Sequence, residues 1–225
     1  MIFTNPIITE EYYYDHFCNL ITQICEDSLN ELVVNSEGLE DYLRTNYPKY
    51  NFISSTTKCK SNPEDSFKEF TKDYKYVCLD YNLNRNEKYL QSFPEELKSK
   101  VELLVNAICP PGCPNRAKHY IANGLSMLNY GLDYSIDCKI TYGNLHPNTF
   151  AYKNNLYPDE LYNHYSQDLG ITFFKLEGRT FSDIDLILNY ARYLVKPEYQ
   201  YEFISQMFEI SQTFNQEFNK LKELT

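Results

Sequence analysis

At 225 residues, with 43% hydrophobic and 23% charged residues, the chain has the length and composition of a globular protein with one large core, which excludes disordered and collagen-like classes. A formal net charge of −10 argues against broad binding to phosphate backbones or anionic membrane surfaces. No apolar stretch approaches ~18 residues and no leader pattern opens the chain, so it is expected in the cytoplasm, with its seven cysteines as reduced thiols or metal ligands.

Short β-branched or apolar runs alternate with segments of helical period, which predicts a parallel sheet built from repeated βα units. The first strand covers Met1 to Asn5, and Thr9 caps a helix reaching to about Ser28. On that helix Cys18 and Cys25 stand seven apart, on one apolar stripe, and are expected in the core. A strand at Glu31 to Asn35 leads to a helix capped by Ser36 that ends before Pro48. A strand at Asn51 to Ser55 precedes a helix opened by Asn62-Pro63, and a strand at Tyr76 to Asp80 precedes a short helix opened by Pro94-Glu95-Glu96. The fifth strand is Val101 to Asn106. The stretch 123–157 then breaks the alternation, being rich in Tyr, Asn and Gly without a clear period, and reads as a long excursion.

The sixth strand is Ile171 to Glu177, followed by a helix capped by Ser182 that stops near Pro197. A last amphipathic helix, from about Glu198 to Lys222, carries Phe203, Met207, Ile210, Phe214 and Phe218 on one stripe. The whole chain, 1–225, reads as a single βα-repeat domain. Such repeats close into a TIM barrel or a doubly wound open sheet. No G-x-G-x-x-G turn follows any strand, which weighs toward a TIM-barrel-like α/β fold, and about six strands make that barrel incomplete.

Ligands approach parallel sheets at the carboxyl ends of the strands. Every predicted strand ends in polar residues: Asn5, Asn35 and Ser36, Ser54 to Thr56, Asp80 and Asn82, Asn106, and Lys175, Glu177 and Arg179. Taken singly, such residues most often cap the next helix or shape the turn. Strand alternation puts Lys175, Glu177 and Arg179 on one face, where a carboxylate or phosphate could be held, or where the three form a structural ion pair at the rim. Directly after Asn106 comes Cys109-Pro-Pro-Gly-Cys113-Pro-Asn-Arg116, with Cys138 later in the excursion and His119 nearby. Three thiolates plus one further ligand suit an iron–sulfur cluster or a tetrahedral zinc ion, with free thiols as the alternative. Cys59 and Cys78 could reach the same rim, either as a fourth ligand, whereas His16, His146 and His164 read as ordinary surface or satisfied residues.

The segments VELLVNAICPPGCPNRAKHY (101–120) and GITFFKLEGR (170–179) resemble the two signature regions of the collagenase-like peptidases of unknown mechanism and their relatives. The shared features are a strand-end Asn, a Cys pair followed by Arg and His-Tyr, a later Cys, and a strand reading K-x-E-G-R. The resemblance implies a TIM barrel lacking its expected N-terminal strands. It also implies a four-Cys iron–sulfur cluster of which Cys109, Cys113 and Cys138 would be ligands, and it makes Glu177 and Arg179 pocket residues.

Three readings follow. The first is an enzyme, hydroxylase-like or peptidase-like, doing redox or group-transfer chemistry on a small molecule or a modified base, with Glu177, Arg179, Asn106 and Lys175 as its catalytic residues and a metal at the cysteines. The second is a non-catalytic truncated barrel that binds a protein partner through its Tyr-rich surfaces and last helix; separately, another copy or a partner subunit could complete the barrel. The third is a metal-free binder of a small anionic ligand held by Arg179.

Overall fold

A computed structural model describes residues 1–27, 29–129, 132, 134, 136, 155–178 and 182–223, with side chains up to residue 213. All six expected strands are present: β1 (Ile2–Phe3), β2 (Glu31–Val34), β3 (Asn51–Ser54), β4 (Tyr76–Cys78), β5 (Val101–Leu104) and β6 (Phe173–Lys175). They form one sheet in the order β1-β2-β3-β4-β5-β6, every neighbouring pair parallel. Sequential parallel order is the order of a TIM barrel. Among the described residues no ladder joins β6 back to β1, so the sheet is an open, incomplete barrel.

Helices follow the strands: α1 (His16–Ile24), α2 (Glu37–Asn46), α3 (Pro63–Glu69), α4 (Glu87–Gln91), α5 (Glu95–Lys98), α6 (Arg116–Leu128), α7 (Pro158–Glu160, continuing as a π-helical stretch over Leu161–Asp168), α8 (Asp183–Leu194) and α9 (Gln200–Glu223). The expected caps at Ser36, Asn62 and Ser182 each accept a backbone N–H of the first turn.

Alternation along the strands sorts side chains onto two faces. Phe3, Leu32, Val34, Phe52, Val77, Leu79, Val101, Leu103, Val105, Phe174 and Leu176 pack with Leu39, Leu43, Phe70, Leu90 and Phe93 in the main core between sheet and helices. The opposite, inner face carries a smaller cluster of Cys78, Tyr81, Leu104 and Ala107, with Cys109 against it. The inner face is less completely filled, and that is where a site can form.

Several expectations need correction. The first helix does not begin at Thr9: a 3-10 turn at Glu10–Tyr12 comes first, and Asp15 caps α1 by accepting from the Cys18 N–H. Cys25 is half-buried and packs against the main core as expected, but Cys18 is exposed, because α1 turns its polar side inward. Asn19 accepts the hydroxyls of Tyr42 and Tyr47, and the Thr22 carbonyl accepts from Tyr50. Phe17 and Ile24, on the apolar stripe, are left 67% and 73% exposed. Pro94 is the residue before α5 rather than its first. The excursion begins later than residue 123, because α6 runs on to Leu128. On α9, Phe203 and Met207 are half-buried and Ile210 is exposed, whereas the side chains of Phe214 and Phe218 lie outside the described ones. No helix of the described residues is long and apolar enough to cross a membrane.

Candidate functional site

The inner face opens at the carboxyl ends of the strands into a cavity of about 400 Å³. β1 contributes Ile2, Thr4 and Asn5 just beyond it; β2 gives Val33; the β3 exit gives Ser55, Thr56 and Thr57; β6 gives Lys175 and Glu177. Helix α6 lies over the opening and lines it with Arg116, His119, Tyr120 and Asn123. First and last strands reaching one cavity means the sheet curls around it, and α6 lines that same cavity.

Of these α6 residues, Arg116 is buried, 4% exposed, and its guanidinium is fully engaged. It donates to Asp80 Oδ2, to the Thr56 carbonyl at 2.8 Å, to Thr56 Oγ1 at 3.0 Å and to the Tyr120 hydroxyl at 3.1 Å, and it stacks on the Tyr81 ring with 4.0 Å to the centroid. Asp80 in turn caps the turn after β4 by accepting from the Asn82 N–H. The cation of the Cys-Pro-Pro-Gly-Cys-Pro-Asn-Arg segment is thus a bolt between α6 and the exits of β3 and β4, not an open anion receptor.

Asn106 is likewise structural. Its side chain accepts from the Glu177 N–H and donates to the Glu177 carbonyl, both at 2.8 Å, and it also donates to Asn189 on α8 at 3.1 Å. These bonds continue the β5–β6 ladder by side chain where the strands separate. Glu177 accepts from the Ile108 N–H, which turns the chain after β5 so that Cys109 faces the cavity. Lys175 and Glu177 share the inner face as alternation predicted, with Lys175 3.4 Å from Glu102 on β5. Arg179 lies outside the described residues.

Cys109 is half-buried, and burial together with the Glu177 carboxylate pushes its thiol up to about 11. It is therefore a neutral thiol near pH 7. Cys113 is close enough to add to that shift. The turn between them uses Gly112 at φ 65°, a left-handed conformation that a side chain disfavours, and the Gly112 N–H donates to Asn82 at 2.8 Å. Cys138 lies outside the described residues. No group of three His, Cys, Asp or Glu side chains among the described residues is arranged to hold a metal ion. Of the three thiols expected as ligands, the described residues hold Cys109 and Cys113 alone, and no chemical step is routed through a metal centre. Cys59 is half-buried and Cys78 buried, the latter's thiol pushed up by burial and by Glu102.

His164 sits far from the cavity, between Glu87 at 3.0 Å and Asp168 at 3.3 Å, and His16 is exposed; His146 lies outside the described residues.

No family model, curated protein or solved structure matches this chain. The reading of the site accordingly rests on its geometry. That geometry adds residues that sequence reasoning passed over: Tyr81, Tyr120 and Asn189. The i, i+4 spacing of Arg116 and Tyr120 on one helix was the signal for the second. Nothing in the sequence pointed to Tyr81 or Asn189, whose partners are distant along the chain.

Proposed function

We propose that the chain binds a small, largely uncharged polar molecule in the cavity over the strand ends, in the position where enzymes of barrel type hold their substrates. The carrying observation is the cavity itself: about 400 Å³, within the range of small-molecule sites, at the carboxyl ends of six parallel strands and roofed by α6. Its charges argue for an uncharged ligand. Arg116 is neutralised by Asp80 and Lys175 stands by Glu102, so these two cations do not present a net positive lining to an anion. His119 and Asn123 on α6 add polar groups to the lining. The net charge of −10 and the thiols of the described cysteines agree with a cytoplasmic setting.

The test is a thermal-shift screen of uncharged metabolites against the wild-type chain and Asn123→Trp. Asn123 is exposed on α6 at the cavity, so a Trp there narrows the opening without touching the core. Compounds that raise Tm in the wild type are expected to lose their effect in the variant. Hits that persist unchanged in Asn123→Trp would locate binding elsewhere and overturn the reading.

A further inference from the structure

Among the described residues the buried hydroxyls of Tyr81 and Tyr89 lack a hydrogen-bond partner of their own, and of the two Tyr81 alone lines the cavity. Tyr81 is 2% exposed. Burial pushes its phenol far up, so the group stays protonated and offers a donor. The ring has no freedom to turn that donor elsewhere. Tyr81 opens the 3-10 turn Tyr81–Leu83 that Asp80 caps, and the Arg116 guanidinium is clamped against its face by Asp80 and Thr56. Beside the hydroxyl stands the Cys109 sulfur, close enough for the phenol to favour its ionised form, and a neutral thiol is a weak acceptor.

A rigid, buried hydroxyl without a strong partner is a net cost to folding. Such costs are retained where function uses them. A phenylalanine at the same position would pack as well and carry no penalty.

Resting on the cavity reading above, we propose that Tyr81 is a ligand-recognising residue: its hydroxyl donates a hydrogen bond to a carbonyl oxygen of an uncharged amide- or ketone-type ligand, seated at the cavity floor beside Cys109. The carbonyl is the fitting group because it accepts without donating. Every polar group named around the floor already has a partner, apart from this one donor.

The experiment uses the full chain with tyrosine labelled by carbon-13 at Cζ, whose shift follows hydrogen bonding at the hydroxyl. The Tyr81 signal is the one missing from Tyr81→Phe. The probe is δ-valerolactam, a neutral cyclic amide small enough for the floor and soluble enough to titrate to the weak affinity expected of about seven heavy atoms, on the order of millimolar to tens of millimolar. Lactam is expected to move the Tyr81 signal in the wild type, and Tyr81→Phe is expected to weaken lactam binding severalfold while melting at the wild-type temperature or about 2–4 °C above it. A Tyr81→Phe protein that melts several degrees lower would assign the hydroxyl to an internal bond or a structural water and overturn the proposal. So would a Tyr81 signal indifferent to lactam. Binding that is lost in Asn123→Trp but unchanged in Tyr81→Phe would sink this inference and leave the cavity reading standing. Binding unchanged in both would remove the cavity reading itself.

Discussion

Arg116 holds three pieces of chain through one guanidinium, and its energetic weight follows from what is stranded without it. Asp80 is 2% exposed, and Arg116→Met would leave its carboxylate buried beside an apolar side chain, with only the Asn82 groups still donating. Removing one partner of a buried ion pair costs about 3–5 kcal/mol, far more than the pair adds when intact. Arg116→Met should therefore lower unfolding free energy by that amount in a urea titration, and Asp80→Asn in the same background should recover part of it. A loss below about 1 kcal/mol would mean that solvent reaches the pair. At this scale the sequence told residue types but not their tasks. Lys175 and Glu177 share a face because a strand alternates, which is local, whereas Asn106 reaches Asn189 across 83 positions and Arg116 reaches Thr56 across 60. Long-range bonds of that kind leave no periodic trace.

Between elements, the tightest coupling is a buried charge network on the helix side of the sheet. Lys58, just after β3, lies 2.9 Å from Glu69 on α3 and 3.6 Å from Glu40 on α2; Ser54 of β3 donates to Glu69 at 2.6 Å, and the Tyr74 hydroxyl donates to Glu40. Burial alone would raise the Glu69 carboxyl, but the bonds from Ser54 and Lys58 win and hold it at about 2. A carboxylate depressed on folding contributes stability above its unfolded value and loses it as pH falls through the folded one. The window is therefore roughly pH 4.5 down to 2, and the contribution is on the order of 3 kcal/mol, since one pKa unit is about 1.4 kcal/mol. Glu69→Gln should lower stability at pH 7 and flatten its dependence on pH across that window, as read by denaturant midpoints. An unchanged acid limb would assign the acid sensitivity to other carboxylates. Element positions were legible because apolar runs, caps and prolines are local signals: six strands fell where expected, as did the caps at Ser36, Asn62 and Ser182. The orientation of α1 was not. Its apolar stripe argued for burial, but the tyrosines of and after α2 offered hydroxyls that Asn19 and the Thr22 carbonyl could meet, and those partners lie beyond any local window.

An open sheet of six strands has to keep its two ends related without a closing ladder, and α6 supplies the tie on the β1 side. Asn5, just past β1, donates to the Gly124 carbonyl at 3.2 Å and accepts from the Ile7 N–H at 3.1 Å, a link across 119 positions. Gly124 is what lets the strand end come so near the helix: a Cβ there would stand 2.5 Å from Asn5 Oδ1 and 3.0 Å from Ile7 Cγ1. Two effects oppose each other in Gly124→Ala. Helix propensity favours Ala by about 1 kcal/mol. Against it, Asn5 is short and bonded at both ends of its amide, so it can retreat only by giving up those bonds, and overpacking of this kind costs about 1–3 kcal/mol. The clash should win, leaving Gly124→Ala destabilised by about 1 kcal/mol, with faster amide exchange at Val33 and Asn35, whose N–H groups donate to the carbonyls of Met1 and Phe3. Asn5→Ala with Gly124→Ala should then be more stable than the sum of the two single changes, because the shared contact is removed once rather than twice. If Gly124→Ala alone proves stabilising by about the propensity gain, β1 is free to shift, and α6 roofs the cavity without holding the open sheet in shape.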